Sequence, residues 1–433
     1  MAQRHTSTAS GRPRSPLRGD GSRRLGALPL PSDALPLLAP PEAGTAPPIT
    51  LPYSRQVVTE EDIAAVVEVL RSNFLTQGPV IPAFERAFAA LHAVPHAVAV
   101  SNATTALHLA CLALGVGPGS RVWTSPNSFV ASANCALYCG ASVDFVDIDP
   151  RTRNLSVEAL QDKLERAERS GTLPQVVIPV DHGGWSCDLH EIRALADRYG
   201  FRVLADASHS VGAHYRGRPV GSALADATVF SFHAVKVITC GEGGMVTTHD
   251  PALARRVQAL RSHGITRDPE LMEQPAEGAW VYEQQSLGYN ARLTEMQAAL
   301  GLSQLERLPA AQARREALAR TYDQRLADLP LTLPTRQPGR MPSWHLYAVE
   351  LDPVRTPITR AALFDTMRAR GVGVNVHYIP IHTQPHYRRL GFAWGDFPQA
   401  ERYYAHALSL PLFPGMSDAQ QDAVIELVRA ALA

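Results

Sequence analysis

From Ala97 to Asp250 the chain alternates short β-branched, apolar runs with stretches whose apolar residues recur at helical spacing. The runs predict strands over 97–101, 122–125, 143–148, 176–180, 203–206 and 227–232, and the stretches predict helices over 104–114, 128–139, 157–168 and 189–199. That alternation is the pattern of an α/β fold with a mostly parallel central sheet covered by helices. In such sheets ligands collect beyond the carboxyl ends of the strands. The residues just after each apolar run are therefore the place to look for chemistry.

Upstream, Thr59-Glu60-Glu61-Asp62 predicts a capped helix with Ile63, Val66, Val67 and Leu70 as its apolar face. A loop over 73–79 separates it from a second helix over 81–91. Downstream of Arg256, helices are predicted over 294–305 and 310–326, and Pro330, Pro334, Pro338 and Pro342 mark a boundary. The remainder reads as a strand (345–351), a helix (360–370), a strand (372–378), a helix (398–407) and a last helix capped by Ser417, which makes a small α/β domain.

Residues 1–48 stand apart. Arg4, Arg12, Arg14, Arg18, Arg23 and Arg24 sit among Ser, Gly and Pro, and Leu-Pro-rich sequence follows. Such a composition cannot bury enough apolar surface to offset its ordering entropy, so this extension is expected to be disordered. An export signal fits poorly, because Pro29, Pro31, Asp33 and Pro36 break the run after Arg24. The expected organisation is an extension over 1–48, a large domain over 49–300, and linker helices with a small domain over 301–433.

Composition narrows the function classes. Lys+Arg and Asp+Glu balance at 41 each, so no net field draws in nucleic acid or an anionic membrane. No apolar stretch approaches the length of a membrane span. The five cysteines are scattered and odd in number, and read as the reduced thiols of a cytoplasmic protein. His377, His382 and His386 have no acidic partner nearby, and no metal is expected there. Gly115–Gly119 imitates a dinucleotide loop but precedes a strand instead of following one.

Four features at predicted strand ends carry the chemistry. Lys236 follows the apolar run 228–232 and precedes Gly241, Gly243 and Gly244. A lysine held against a buried surface loses part of its charge stabilisation and becomes a usable amine nucleophile or base. Ser101–His108 turns from strand into helix, and its small residues, with Thr104 and Thr105, make an anion site suited to a phosphate. The run 201–205 delivers Asp206, and a buried aspartate needs a cationic partner such as a protonated pyridine nitrogen. Phe129 follows another strand and could stack on a flat ring. Singly, each has an ordinary explanation: an edge lysine, a helix cap, a surface carboxylate, a core aromatic. Taken in chain order on successive strand ends, the phosphate cradle, Phe129, Asp206 and Lys236 are what pyridoxal phosphate (PLP) requires of a protein.

At these residues the chain resembles the DegT/DnrJ/EryC1/StrS nucleotide-sugar aminotransferases. The resemblance rests on 101–107, 206–209, 231–236, 241–244 and 261–265 and extends from about Leu51 to the C-terminus. It implies the fold of type I PLP-dependent transferases, the aspartate aminotransferase-like fold, with a smaller C-terminal α/β domain. It implies that Lys236 is the cofactor-bearing lysine, Asp206 the partner of the ring nitrogen and His209 a neighbour of the ring hydroxyl. Thr104, Thr105 and Ser231 match phosphate contacts, and Asn290 matches an asparagine that reaches the cofactor phosphate of a neighbouring subunit in a homodimer. Tyr53, the loop Leu75, Thr76, Gln77, Gly78, and the segment His377, Tyr378, Ile379, Pro380 match regions that line a sugar-nucleotide site. Further likeness over 129–150, 282–304 and 373–380 implies a UDP-linked 4-keto-6-deoxy sugar as acceptor and L-glutamate as donor. Two departures stand out: Ala234 where the family has proline, and Val180-Asp181-His182-Gly183-Gly184 where a His-Phe-Ala-Gly type of segment is usual.

Overall fold

The structure is a computed structural model that describes residues 50–275 and 277–433. The expectation for residues 1–48 lies outside the described residues. A seven-stranded sheet runs in the order His96–Val100, Gly244–Thr248, Ala227–Ser231, Arg202–Asp206, Val176–Ile178, Arg121–Thr124, Ser142–Phe145. Within it, only Gly244–Thr248 runs against its neighbours. The alternation of each strand's residues separates two cores. Phe230, Val203, Val177 and Trp123 pack on one face, and Val229, Leu204, Ile178 and Val122 pack on the other. On the first face the rings of Phe88 and Phe230 meet with centroids 5.0 Å apart, and those of Phe84 and Phe232 at 5.2 Å.

The six predicted strands form, each with at least one end displaced by one to three residues. Gly244–Thr248 was not predicted, because its glycines read as a turn. Gly244 in fact packs against the start of the helix Ala103–Ala113, and an added Cβ would sit 2.5 Å from the Asn102 carbonyl carbon. The helix predicted from Ser128 begins instead at Ala131. Residues 126–130 remain a loop, in which the Asn127 N–H bonds the Ser125 hydroxyl at 3.1 Å.

The helix Glu60–Arg71 forms, with its Thr59 N–H bonded to the Asp62 carboxylate at 3.0 Å. Its buried side is not the predicted one. Ile63 and Leu70 are 46% and 55% exposed, while Asp62 and Val69 are buried. Asp62 accepts from Ser303 (2.6 Å) and Gln304 (2.8 Å) and pairs with Arg307, so a polar clamp attaches this helix to Glu295–Glu306.

In the C-terminal part, Leu331–Thr332, Tyr347–Leu351 and Ala407–Leu410 make an antiparallel sheet. Its core includes Tyr322, Tyr347, Leu363 and Val424, contributed partly by the helices Leu308–Arg325 and Asp418–Leu432. The strand predicted over 372–378 does not form. Only isolated bridges, Leu51 to Val372 and Asn375 to Ser409, tie that segment down, and its residues 375–378 turn toward the cavity described next. Among the described residues no helix is long and apolar enough to cross a membrane, and no group of three or more His, Cys, Asp or Glu side chains could hold a metal ion.

Candidate active site

A cavity of about 840 Å³ opens at the carboxyl ends of the central strands. Ten of the residues singled out from the sequence line it: Tyr53, Thr104, Thr105, Phe129, Asp206, His209, Ser231, Lys236, His377 and Tyr378.

Lys236 lies in the loop after Ala227–Ser231. The loop is closed on itself: the Phe232 N–H bonds the Gly243 carbonyl at 2.9 Å, the Cys240 N–H bonds the Phe232 carbonyl at 2.9 Å, and the Lys236 N–H bonds the His233 carbonyl at 2.9 Å. Loss of solvent around the amine pushes its pKa down to about 8, against the opposing pull of the Asp206 charge. Asp206 ends its strand 5% exposed. Its carboxylate accepts from the Ser132 hydroxyl at 2.7 Å and the Ser208 N–H at 3.1 Å. Those two donors leave lone pairs free on a buried anion that faces a cavity, and this suits a protonated ring nitrogen.

The turn from strand into helix after Ser101 forms at the cavity. Asn102 caps the helix Ala103–Ala113 by accepting the Thr105 N–H at 2.8 Å, and Ser101 reaches the Thr105 hydroxyl at 3.4 Å. Asn102, Ala103, Thr104 and Thr105 all line the cavity at this helix N-terminus, so the residues present fit a phosphate group. The close approach of Gly244 fixes where that terminus sits.

His209 joins the two halves of the site. Its Nδ1 accepts the Gly183 N–H at 3.2 Å, and its Nε2 lies 3.1 Å from the Tyr378 hydroxyl. Burial and the nearby Lys236 charge hold His209 well below the usual histidine range. The departure at 180–184 therefore has a local use, since Gly183, with φ 67°, supplies the N–H that orients His209. His377 donates to or accepts from the Ser409 hydroxyl at 2.8 Å, and its ring lies 5.4 Å from that of Tyr53. Phe129 stands at the rim, 59% exposed, its ring 6.5 Å from Tyr378.

The remaining expected residues lie outside this cavity. Leu75, Thr76 and Gln77 are exposed, and Gly78 donates its N–H to the buried Glu295 carboxylate at 2.9 Å. Asn290 is exposed and bridges to Ser262. Ile379 is exposed, while Pro380 is buried and its carbonyl accepts from the Thr383 hydroxyl at 2.8 Å. Sequence reading missed Ser132, His345 and Asn375, which line the cavity, and Glu295, which anchors the 75–78 loop. Asn375 sits two residues before His377 in a segment read as a regular strand. Ser132 sits in a run that looks like ordinary helix interior.

A profile of the DegT/DnrJ/EryC1/StrS aminotransferase family matches residues 56–429. The chain belongs to that family. A curated relative, the spore coat polysaccharide biosynthesis protein SpsC of Bacillus subtilis, is 42% identical over 382 residues, 88% of this chain and 96% of that one. Among solved structures, Helicobacter pylori PseC, an aminotransferase involved in the biosynthesis of pseudoaminic acid, is 32% identical with a TM-score of 0.80. The alignment covers 88% of this chain and 99% of PseC. Spr1654 of Streptococcus pneumoniae, solved in PMP and PLP forms, is 29% identical in its PMP form with a TM-score of 0.81, covering 88% and 98% of the two chains. The fold is that of the type I PLP-dependent transferases, and the chain is a PLP-dependent sugar aminotransferase.

Proposed function

We propose that the enzyme moves an amino group from L-glutamate to the C4 keto group of a UDP-linked 2-acetamido-2,6-dideoxyhexos-4-ulose. The product would be UDP-4-amino-4,6-dideoxy-N-acetyl-β-L-altrosamine, a step toward pseudaminic acid. The observation that carries the chemistry is the convergence of Lys236 and Asp206 on one cavity that the N-terminus of Ala103–Ala113 also lines. The likeness to PseC and the segments 129–150, 282–304 and 373–380 support the choice of sugar.

In this reading the cofactor, when bound, supplies the electron sink for the C–H bond that breaks. Thr104, Thr105 and Ser231 hold its phosphate, Asp206 keeps the proton on its ring nitrogen, His209 lies near its ring hydroxyl and Phe129 flanks its ring. The Lys236 amine, with its pKa lowered to about 8, has an unprotonated fraction near neutral pH far larger than a free lysine's and carries the proton between substrate carbon and cofactor. Tyr53, His377 and Tyr378 bind the sugar nucleotide within the cavity, and the Leu75–Gly78 loop and Ile379–Pro380, which lie outside it on one chain, take only the parts of the ligand that extend beyond it.

Two copies complete the site. Asn290 is exposed in one chain, and Trp280, Leu287 and Tyr289 in the segment before it are exposed apolar residues, as a surface covered by a second subunit would require. Lys236→Ala should abolish turnover, and appreciable transamination by that variant would refute the assignment. A second acceptor is favoured by one fact: the 42% identity to SpsC exceeds the 32% to PseC. A different 4-keto sugar nucleotide would use the same machinery. Incubation with L-glutamate and a panel of UDP-linked 4-keto sugars, followed by product stereochemistry, decides between them.

A further inference from the structure

His345 has no part in the roles above. It precedes the strand Tyr347–Leu351, is 4% exposed, and lines the cavity beside Lys236 and His377. The backbone around it is pinned. Ser343 N–H bonds the Gly184 carbonyl at 3.1 Å, Leu346 N–H bonds the Gly183 carbonyl at 3.2 Å, and the His345 ring sits 4.3 Å from that of His209. Nδ1 of His345 is buried with no partner among the described residues. An orphaned buried N–H is costlier than an idle buried lone pair. The lone pair therefore belongs on Nδ1 and the proton on Nε2, the nitrogen left to face the cavity.

Behind His345 stands a second unmatched group. Arg315 is 1% exposed and donates only to backbone, to the Trp344 carbonyl at 3.0 Å and the Leu412 carbonyl at 3.1 Å; its Nε has no partner among the described residues. A buried guanidinium without a carboxylate is unfavourable. That penalty falls if an anion settles nearby. The charges that act most strongly on His345 are those of Lys236, Arg315, His377 and His182, and none of them is acidic; His209 is in ring contact, and Asp206 and Glu242 line the same cavity.

We infer that the Nε2–H of His345, backed by the Arg315 charge one peptide away, is the subsite for the α-carboxylate of the amino-acid donor. This rests on the aminotransferase reading. The sugar nucleotide also brings anions, but its diphosphate lies across the sugar ring from the reacting C4. The donor's carboxylate is attached to the very carbon that bears the reacting amine, so it must sit near Lys236, as His345 does. No arginine of the described chain lines the cavity to take that role. The neutral ring already presents Nε2–H, and because the accepting carboxylate is ionised the hydrogen bond is charge-assisted without a further proton on Nδ1.

Glutarate, a dicarboxylate that cannot react, is the probe. Calorimetric titration of the holoenzyme with glutarate gives the affinity of the natural sequence. His345→Phe keeps the ring but removes the donor. It should weaken glutarate binding and the L-glutamate half-reaction about tenfold or more, as expected for one charge-assisted bond. The keto-sugar half-reaction should stay within about twofold on the same scale of affinity arithmetic. His345→Gln, which restores an N–H, should recover most of the glutarate affinity. Unchanged glutarate binding in the Phe variant, or equal loss of both half-reactions, would overturn the subsite. Failure of the natural enzyme to take an amino group from L-glutamate would instead sink the donor reading itself.

Discussion

The hydroxyl of Tyr378 lies 3.1 Å from Nε2 of His209, whose other nitrogen already accepts the Gly183 N–H at 3.2 Å. A backbone N–H can only donate, so Nδ1 is the acceptor and Nε2 carries the proton. The bond therefore runs from His209 to Tyr378, and the phenolic proton is free to point into the cavity. Burial pushes that phenol well above its usual range, so it remains a donor at all working pH values. Tyr378→Phe should leave the fold intact but strand the His209 N–H, with kcat/KM falling roughly 10- to 100-fold, the equivalent of about 1–3 kcal/mol. Steady-state kinetics checks this, and an unchanged kcat/KM would contradict the direction assigned to the bond.

Lys236 makes the cofactor-free protein sensitive to pH. Its folded pKa of about 8 lies below the 10.5 of a free lysine, so the unfolded chain binds more protons between those values. Stability then rises with pH across that window, and the penalty is present in full below about pH 8. Lys236→Met should raise the Tm of the cofactor-free protein at pH 7, and the gap should shrink as pH climbs toward 10.5. PLP uptake by the natural sequence should also quicken up to about pH 8 and then level off, because only the neutral amine attacks an aldehyde. Thermal melts and stopped-flow absorbance measure the two effects.

The parts of this site that were legible in the sequence are those where one residue does its work at the end of a regular element. Asp206 and Lys236 follow apolar runs, and Thr104 and Thr105 open a helix, so strand and helix patterns alone place them. The illegible parts depend on contacts distant in sequence. Val372–Tyr378 has the composition of a strand, yet the third strand of the small sheet is Ala407–Leu410, leaving Asn375 and His377 to face the cavity. The face of Glu60–Arg71 was misread because periodicity records where apolar residues recur and not which neighbour they meet. Here a buried Asp62 and its partners from 303–307 decided the orientation, and Ile63 and Leu70 were left outward on one chain.

Gly244 tests how tightly the phosphate end is assembled. A Cβ there would come 2.5 Å from the Asn102 carbonyl carbon and 2.8 Å from the Ala103 nitrogen, both backbone atoms that cannot swing aside. Gly244→Ala must push the strand and the helix N-terminus apart. Overpacking of this kind costs about 1–3 kcal/mol, and here the shift falls on the turn that carries Thr104 and Thr105. The variant should melt several degrees lower and release PLP more readily on dialysis. Normal cofactor retention with a lowered Tm would separate the packing role from the anion site.

Glu295 offers the corresponding test for the 75–78 loop. Its carboxylate, 0% exposed, accepts N–H groups from Gly78 at 2.9 Å, Val80 at 2.7 Å and Ile81 at 3.4 Å. Val80 and Ile81 open the helix Val80–Leu91, so the carboxylate satisfies donors that the helix cannot and sits at the favourable end of its dipole. Its own N–H, in turn, bonds the Leu75 carbonyl at 3.0 Å, which closes the loop from both sides. Glu295→Ala leaves buried N–H groups unpaired and should destabilise the protein by about 2–4 kcal/mol, given roughly 1–3 kcal/mol for each buried donor left unsatisfied and partial relief by water. Glu295→Gln keeps one acceptor oxygen and should lose about half as much. Because the loop is proposed to bind sugar nucleotide, the Ala variant should also raise the KM for the keto sugar while leaving that for L-glutamate unchanged. A loss of stability with both KM values intact would confine Glu295 to the fold and remove Leu75–Gly78 from the substrate site.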